Sequence, residues 1–441
     1  MVKKIISVAL AISMALSIGL VGCKNSNEEK NTTQPAQNQE TEQEETRSSE
    51  PAEISFWTMQ LSPNFDEYLN GVINSFQEKN KNITVKWLDV PWGDMEKKIL
   101  AAAASGQMPD VANLNPHFAQ QLAQYGVLAD MEAYASDVKG DYFSGAWEAS
   151  KFDGETFGLP WYLTTGIVFY NKDLFSKAGL DPEKAPSNFE ELYTFSKAIK
   201  EKTGKFGFMT ALSQQTAMED FEKMGIRLFN DDYTKANFTS KEVIEGAMYF
   251  KRMIDEGLMP RESLTEGLGK AIQMYSSGEV AIFPGGTSHA GMIESNSKEV
   301  FANTGVGPQL LNANGKVNIA VMNITVSEKS SSKDAAIKFA KFITNAENQL
   351  AFAKASGAII PSTKDSIKDD FFTKSGLSAK DLARIVSAAQ MENAQVIFPP
   401  IKNWNDVRTA FTEALQKAVL GQKAEEVFKA AEDAANAALA R

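Results

Sequence analysis

The sequence predicts an α/β fold spread over more than one domain, and three observations carry that reading. From Ile54 to Gly126, short apolar strands alternate with amphipathic helices, the rhythm of a largely parallel sheet. The stretch Gly158–Lys172, GLPWYLTTGIVFYNK, is β-branched and aromatic from Thr164 to Tyr170, which suits a buried strand rather than a surface helix. The chain has 441 residues, more than one ordinary domain uses and comfortable for two.

The elements follow in order. Ile54–Trp57 reads as a strand, and Ser62-Pro63 as an N-cap with proline at the first helical position. Phe65, Leu69, Val72, Ile73 and Phe76 then share one helical face. Ile83, Val85 and Trp87 alternate as a strand, Asp94–Ser105 is a helix stopped by Gly106, and Pro109–Leu114 is a short strand. Pro116–Tyr125 is a helix stopped by Gly126. After the Leu159–Tyr170 strand come helical signals at Asn171–Phe175 and a capping box from Ser187 to Glu190. Further helices are expected over 188–203, 219–229, 240–256, 267–276 and 332–345, with strands at Val280–Phe283, Gly305–Leu311 and Val317–Val326. The remainder to Arg441 is mostly helical, and no internal repeat is visible.

Composition bounds the function. Apolar residues make up 43% and charged residues 23%, and the net charge is −11 with no basic run after the N-terminus, which argues against a nucleic-acid partner. One cysteine, two histidines and the absence of HExxH or CxxC exclude the usual zinc and iron–sulfur patterns, and no cofactor is expected. Met1-Val2-Lys3-Lys4 followed by an apolar run and small residues before Cys23 reads as a secretory signal, residues 1–22. Residues 24–53 hold no aromatic or branched aliphatic residue and read as a disordered tether of about 30 Å r.m.s. span.

The order of these motifs resembles the family 1 extracellular solute-binding proteins of ABC importers, the maltose-binding-protein-like group. The resemblance rests on Leu-Val-Gly-Cys at 20–23, which looks like a lipobox, on SGQMPDVANLN with the following helix and GVLAD, on GLPWYLTTGIVFYNK, and on AIQMYSSGEVAIF. It implies a type II periplasmic-binding-protein-like fold, two α/β lobes joined by three crossings with a ligand cleft between them. The crossings would be Leu159–Tyr170, Val317–Val326 and Gly357–Pro361. Lobe 1 would comprise 54–162 plus 321–360 and lobe 2 would comprise 163–320 plus 361–441. It also implies lipidation of Cys23, a position on the extracellular face of the cell membrane, and delivery of a carbohydrate to a permease by a monomeric receptor that is not an enzyme.

A sugar presents flat C–H faces and a ring of hydroxyls, so a site needs aromatic faces and planar polar groups. Candidates cluster at predicted strand ends, where open α/β sheets place ligands. They are Trp57 and Gln60 after the first strand, Trp92 and Asp94 after the second, and Asn113 at the end of the third. Trp161 and Tyr162 open the crossing, Phe283 precedes Gly285 and Gly286, Asn323 lies in the return crossing, and Trp404 lies in an Asn-Trp-Asn-Asp turn. Each has a plainer reading. Asp94 suits a helix cap, Asn113 a turn, the glycine pair a turn, and a turn tryptophan packs under loops. The rival functions are a secreted glycoside hydrolase, which would use two spaced carboxylates, and a receptor for a peptide or polyamine.

Overall fold

The computed structural model describes residues 51–374, 376 and 378–441; the signal segment, Cys23 and the tether up to residue 50 lie outside the described residues. Strand β1 (Ala52–Met59) buries Ile54 and Phe56 fully on one face and Met59 on the other, as a parallel strand covered on both sides must. Helix α1 (Asp66–Lys79) turns Leu69, Val72, Ile73 and Phe76 inward. β2 (Ile83–Val90) pairs parallel with β1 from Ala52↔Ile83 to Met59↔Val90. α2 (Trp92–Ala104) follows, β3 (Val111–Leu114) takes the other edge of β1, and α3 (Pro116–Ala123) is capped by Asn115, whose Oδ1 accepts from Phe118 N–H at 2.9 Å.

Several starts differ from the sequence expectation. α1 begins at Asp66, with no side-chain cap, rather than after Ser62. Asp89 Oδ1 accepts Leu61 N–H at 3.0 Å and Phe65 N–H returns to Leu61 O at 2.9 Å, so a turn is spent before the helix axis is set. β1 runs on to Met59 because β2 continues beside it, so Trp57 lies within the strand and not after it. Pro91, with φ −54°, starts α2 at Trp92.

β4 (Leu159–Asn171) is followed by α4 (Phe189–Thr203), β5 (Phe206–Phe208), α5 (Gln215–Lys223), α6 (Lys241–Asp255), α7 (Leu268–Ser276), β6 (Val280–Gly286), α8 (His289–Asn296) and β7 (Thr304–Gly307). The capping box sits one residue later than expected. Asn188 caps α4, and Glu191 reaches back to Ser187 N at 2.9 Å and Oγ at 2.8 Å. α5 lies about one turn earlier than expected, because Gly225 adopts φ +81° and Ile226 N–H closes onto Phe221 O. β8 (Val317–Val326), α9 (Lys333–Ile343), α10 (Ala346–Ser356) and β9 (Ile360–Pro361) follow, then α11 (Ala379–Ala389), α12 (Trp404–Val419) and α13 (Ala424–Leu439).

The strands form one sheet ordered β2–β1–β3–β8–β4–β6–β5. β8 runs antiparallel to β3, from Asn323↔Leu114 to Val326↔Val111, and to β4, from Ile319↔Thr165 to Ile324↔Leu159. Beyond Thr165, β4 exchanges β8 for β6, with Gly166↔Gly286 through Tyr170↔Ile282. β9 pairs with β4 at Leu163 and Tyr162. All three expected crossings therefore meet in one ribbon.

The cores are separate. Phe56, Phe76, Trp161, Phe339 and Phe352 fill one face of the first lobe, while Met59, Met95, Leu114 and Leu122 fill the other. Phe175, Phe221, Phe250, Phe411 and Phe428 belong to a core of the second lobe. Leu163, Ile319, Val321 and Ile360 pack under the crossing.

Candidate ligand site

The C-terminal ends of β1, β2 and β3 reach the crossing together, and each sends its next residues into one rim. Gln60 follows β1 with φ +54°, a left-handed conformation that costs a non-glycine residue about 1 kcal/mol and is often kept for a functional purpose. Its Oε1 accepts from Trp92 N–H at 3.1 Å, so the side chain ties the β1 end to the start of α2. Trp92 is 49% exposed, an unusual state for the largest apolar side chain. Asp94 stands exposed in the same first turn without capping it. Glu96 of α2 accepts from Gln121 Nε2 of α3 at 2.8 Å.

A second group of polar and aromatic side chains gathers around the start of α12. Trp404 opens α12 rather than sitting in a free turn, and its Nε1–H donates to Gln215 Oε1 at 3.2 Å. Gln215 Nε2 in turn donates to Glu219 Oε1 at 2.9 Å. The Trp404 ring leans on Phe398 with centroids 5.2 Å apart. The loop just before Trp404 reaches the first lobe, since Pro400 O accepts from Gln120 Nε2 of α3 at 3.3 Å. In the crossing, Thr164 of β4 and Ala320 of β8 are directly paired and both exposed. Gln120, Thr164, Gln215 and Glu219 were not singled out from the sequence; they carry no local signal beyond polarity.

The other expected residues have partners within the fold. Trp57 faces α2 with Lys98 Nζ 4.9 Å from its ring, among the apolar residues under that helix. Trp161 is fully buried beside Phe56 and Phe352. The cause is a bulge: the β4–β8 register steps from Met322↔Tyr162 to Asn323↔Pro160, which leaves Trp161 unpaired and turned into the core. Tyr162 is half-buried against Phe352, and burial pushes its phenol well above the usual range, so it stays a neutral donor. Asn113 and Asn323 are fully buried. Asn113 Nδ2 donates to Asn323 O at 3.2 Å and Ser150 Oγ to Asn323 Oδ1 at 2.8 Å, so these amides tie the sheet together.

Phe283 is buried and stacks on Phe169 at 5.1 Å. Gly286 N–H donates to His289 Nδ1 at 2.8 Å, and a Cβ on Gly285 would stand 2.6 Å from that nitrogen. The glycine at 285 is thus required by the histidine. Gly286 has no atom nearer than Thr165 O at 4.0 Å to its missing Cβ. Among the described residues no group of acidic, histidine or cysteine side chains is arranged to hold a metal ion.

Burial lowers the pKa of His117 and His289, so both are neutral in the folded protein. The unfolded chain takes up these protons first as the pH falls below about 6.5. Stability from this source is therefore full above that value and is lost as the pH falls toward the folded pKa values. The denaturant midpoint is expected to drop between about pH 7.5 and 5.5, and to drop less in a His117→Asn/His289→Asn variant. Equal drops in the two proteins would remove the histidines from the account.

Comparison with known proteins places this arrangement. A model of the family of bacterial extracellular solute-binding proteins matches residues 71–380. The chain belongs to that family, whose members bind solutes and are not enzymes. A solved structure from Synechococcus sp. MITs9220, provisionally named an oligosaccharide periplasmic-binding protein, superposes with a TM-score of 0.78 at 30% identity, covering 88% of this chain and 99% of that one. The cyclic alpha-maltosyl-1,6-maltose binding protein of Arthrobacter globiformis shares the fold, with a TM-score of 0.74 at 23% identity over 88% of this chain and 99% of its own. The galactooligosaccharide-binding protein of Bacillus subtilis is 23% identical over 441 residues, 96% of this chain and 94% of that protein. The fold is accordingly the type II periplasmic-binding arrangement.

Proposed function

We propose that the protein captures an oligosaccharide outside the cell by closing its two lobes, and passes it to the permease of an ABC importer. The supporting observation is a pair of tryptophans, one in each proposed lobe, each held by a glutamine: Trp92 through its backbone N–H by Gln60 and Trp404 through its indole by Gln215. Aromatic faces and amides from two lobes meet the two needs of a sugar ring, and contact with both lobes favours the closed state. The relatives' ligands support this class of solute. In this reading 54–162 plus 321–360 form lobe 1 and 163–320 plus 361–441 form lobe 2. Their support is the partner exchange of β4 at Thr165 and Gly166.

In the same reading, Cys23 carries the lipid that holds this monomeric receptor at the extracellular face of the cell membrane, with the following segment as its tether. Among the described residues no helix is long and apolar enough to cross a membrane. Cys23→Ser should release the protein from the membrane fraction into the medium; retention of the variant, or no incorporation of labelled fatty acid into wild type, would refute the anchor.

Calorimetric titration with mono- and oligosaccharides, with chromatography of the recovered ligand, tests the main reading. Saturable binding of intact sugar is expected. Shortened sugar in the recovered sample would instead establish hydrolysis, and heat only with peptides or polyamines would change the solute class.

A further inference from the structure

A strand that changes sheets has a weak point where one neighbour ends and the next begins. Here that point is Thr165 and Gly166, the last β4 residue paired to β8 and the first paired to β6. Across from it, β8 continues past Ile319 to Asn318 with no β4 partner. Asn318 pairs with Gln395 on its other side, and its backbone groups toward β4 are met by a side chain instead. Gln309 Oε1 accepts Asn318 N–H at 3.1 Å, and Gln309 Nε2 donates to Asn318 O at 2.8 Å. One primary amide thus replaces a strand's peptide group. The same Nε2 donates to Thr165 Oγ1 at 3.0 Å.

A second glutamine completes the arrangement. Gln390, at the end of α11, accepts Gln309 N–H through Oε1 at 2.9 Å and donates through Nε2 to Gly166 O at 3.2 Å. Ile397 N–H donates to Asn318 Oδ1 at 3.2 Å. Gln309 is 4% exposed and Thr165 2% exposed, so each of these groups would lack water if its partner were removed. The packing is equally close: a Cβ at Gly166 would stand 3.1 Å from Gln309 Cδ. Both glutamines lie outside the strands they hold, in segments assigned above to the second lobe.

We propose that Gln309 and Gln390 are positioning residues that clamp the crossing to the second lobe and confine bending to Tyr162–Thr164 and Ala320–Met322. The inference rests on the reading that the protein captures its ligand by lobe closure. Neutral amides suit the task because each supplies donor and acceptor together without burying a charge. With the clamp intact, the lobes move about one axis and the closed state is reached at little cost in ordering. Without it, the ligand-free lobes sample a wider range, and closure must order them.

The test uses the full chain with Cys23→Ser and spin labels on cysteines introduced at Tyr125 and Leu420, which are 71% and 63% exposed on opposite lobes. Gln309→Met and Gln390→Ala are expected to widen the ligand-free interlobe distance distribution and to weaken oligosaccharide binding about tenfold. Gln390→Glu keeps the acceptor for Gln309 N–H and should restore part of both effects. If Gln309→Met does not fold, Thr165→Val removes one of the same bonds at constant shape. A folded variant with lowered denaturant midpoint but an unchanged distance distribution overturns the proposal, because a merely structural role moves stability alone. A wild-type distribution that no ligand narrows would overturn the capture reading instead, since the comparison among ligand-free variants does not depend on ligand.

Discussion

Trp404→Ala is expected to weaken oligosaccharide binding by about thirty- to a hundredfold, or 2–3 kcal/mol, while leaving a cooperative fold. The loss has two parts. The indole face that a sugar ring would lie on disappears, and so does the Nε1–H that holds Gln215 at 3.2 Å. Gln215 then no longer presents its amide in a fixed direction, and the 2.9 Å bond from its Nε2 to Glu219 loses its other anchor. The fold survives because Trp404 is only half-buried, at the first residue of a helix whose core is made by Val407, Phe411 and Leu415. Trp404→Phe keeps a face and loses the donor, so it should fall between wild type and alanine. Calorimetry on the three proteins checks the order. Unchanged affinity in a folded alanine variant would remove Trp404 from the site.

What was legible in the sequence follows from how local each signal is. The crossing strand Leu159–Asn171 was readable because its composition alone demands burial, and Asn188–Thr203 because its cap residues lie within one turn. Trp161 was misplaced because its direction depends on a bulge, which exists only relative to the register of β8. Trp57 lies inside β1 rather than at its end because the length of that strand is set by β2 beside it, a partner about 30 residues away in sequence. The sequence named Trp404, yet not the side chains beside it. Gln215 and Glu219 read as any exposed helical turn until the chain brings Trp404 back, 189 positions along the sequence from Gln215.

The same helix shows the limit from the other side. Asp220 and Lys223 look like an ordinary surface pair at helical spacing, but their side chains are 4% and 9% exposed. Lys223 Nζ lies 3.2 Å from Asp220 Oδ1, and Thr210 Oγ1 donates to Asp220 Oδ2 at 3.0 Å. Burial disfavours the Lys223 ammonium, but the carboxylates of Asp220 and Glu219 outweigh it and hold the pKa above its ordinary value. Asp220→Ala therefore leaves a buried cation without its closest partner and should lower the unfolding free energy by about 3–5 kcal/mol. Replacing both residues, Asp220→Leu with Lys223→Met, should recover most of that loss, because an apolar pair of similar volume needs no compensation. Guanidinium unfolding of the two variants at neutral pH checks the contrast, and equal losses would refute it. Ligand affinity should follow the same order, since α5 carries Gln215 at one end and Lys223 at the other, and a helix pulled toward water at its last turn cannot hold its first turn against Trp404.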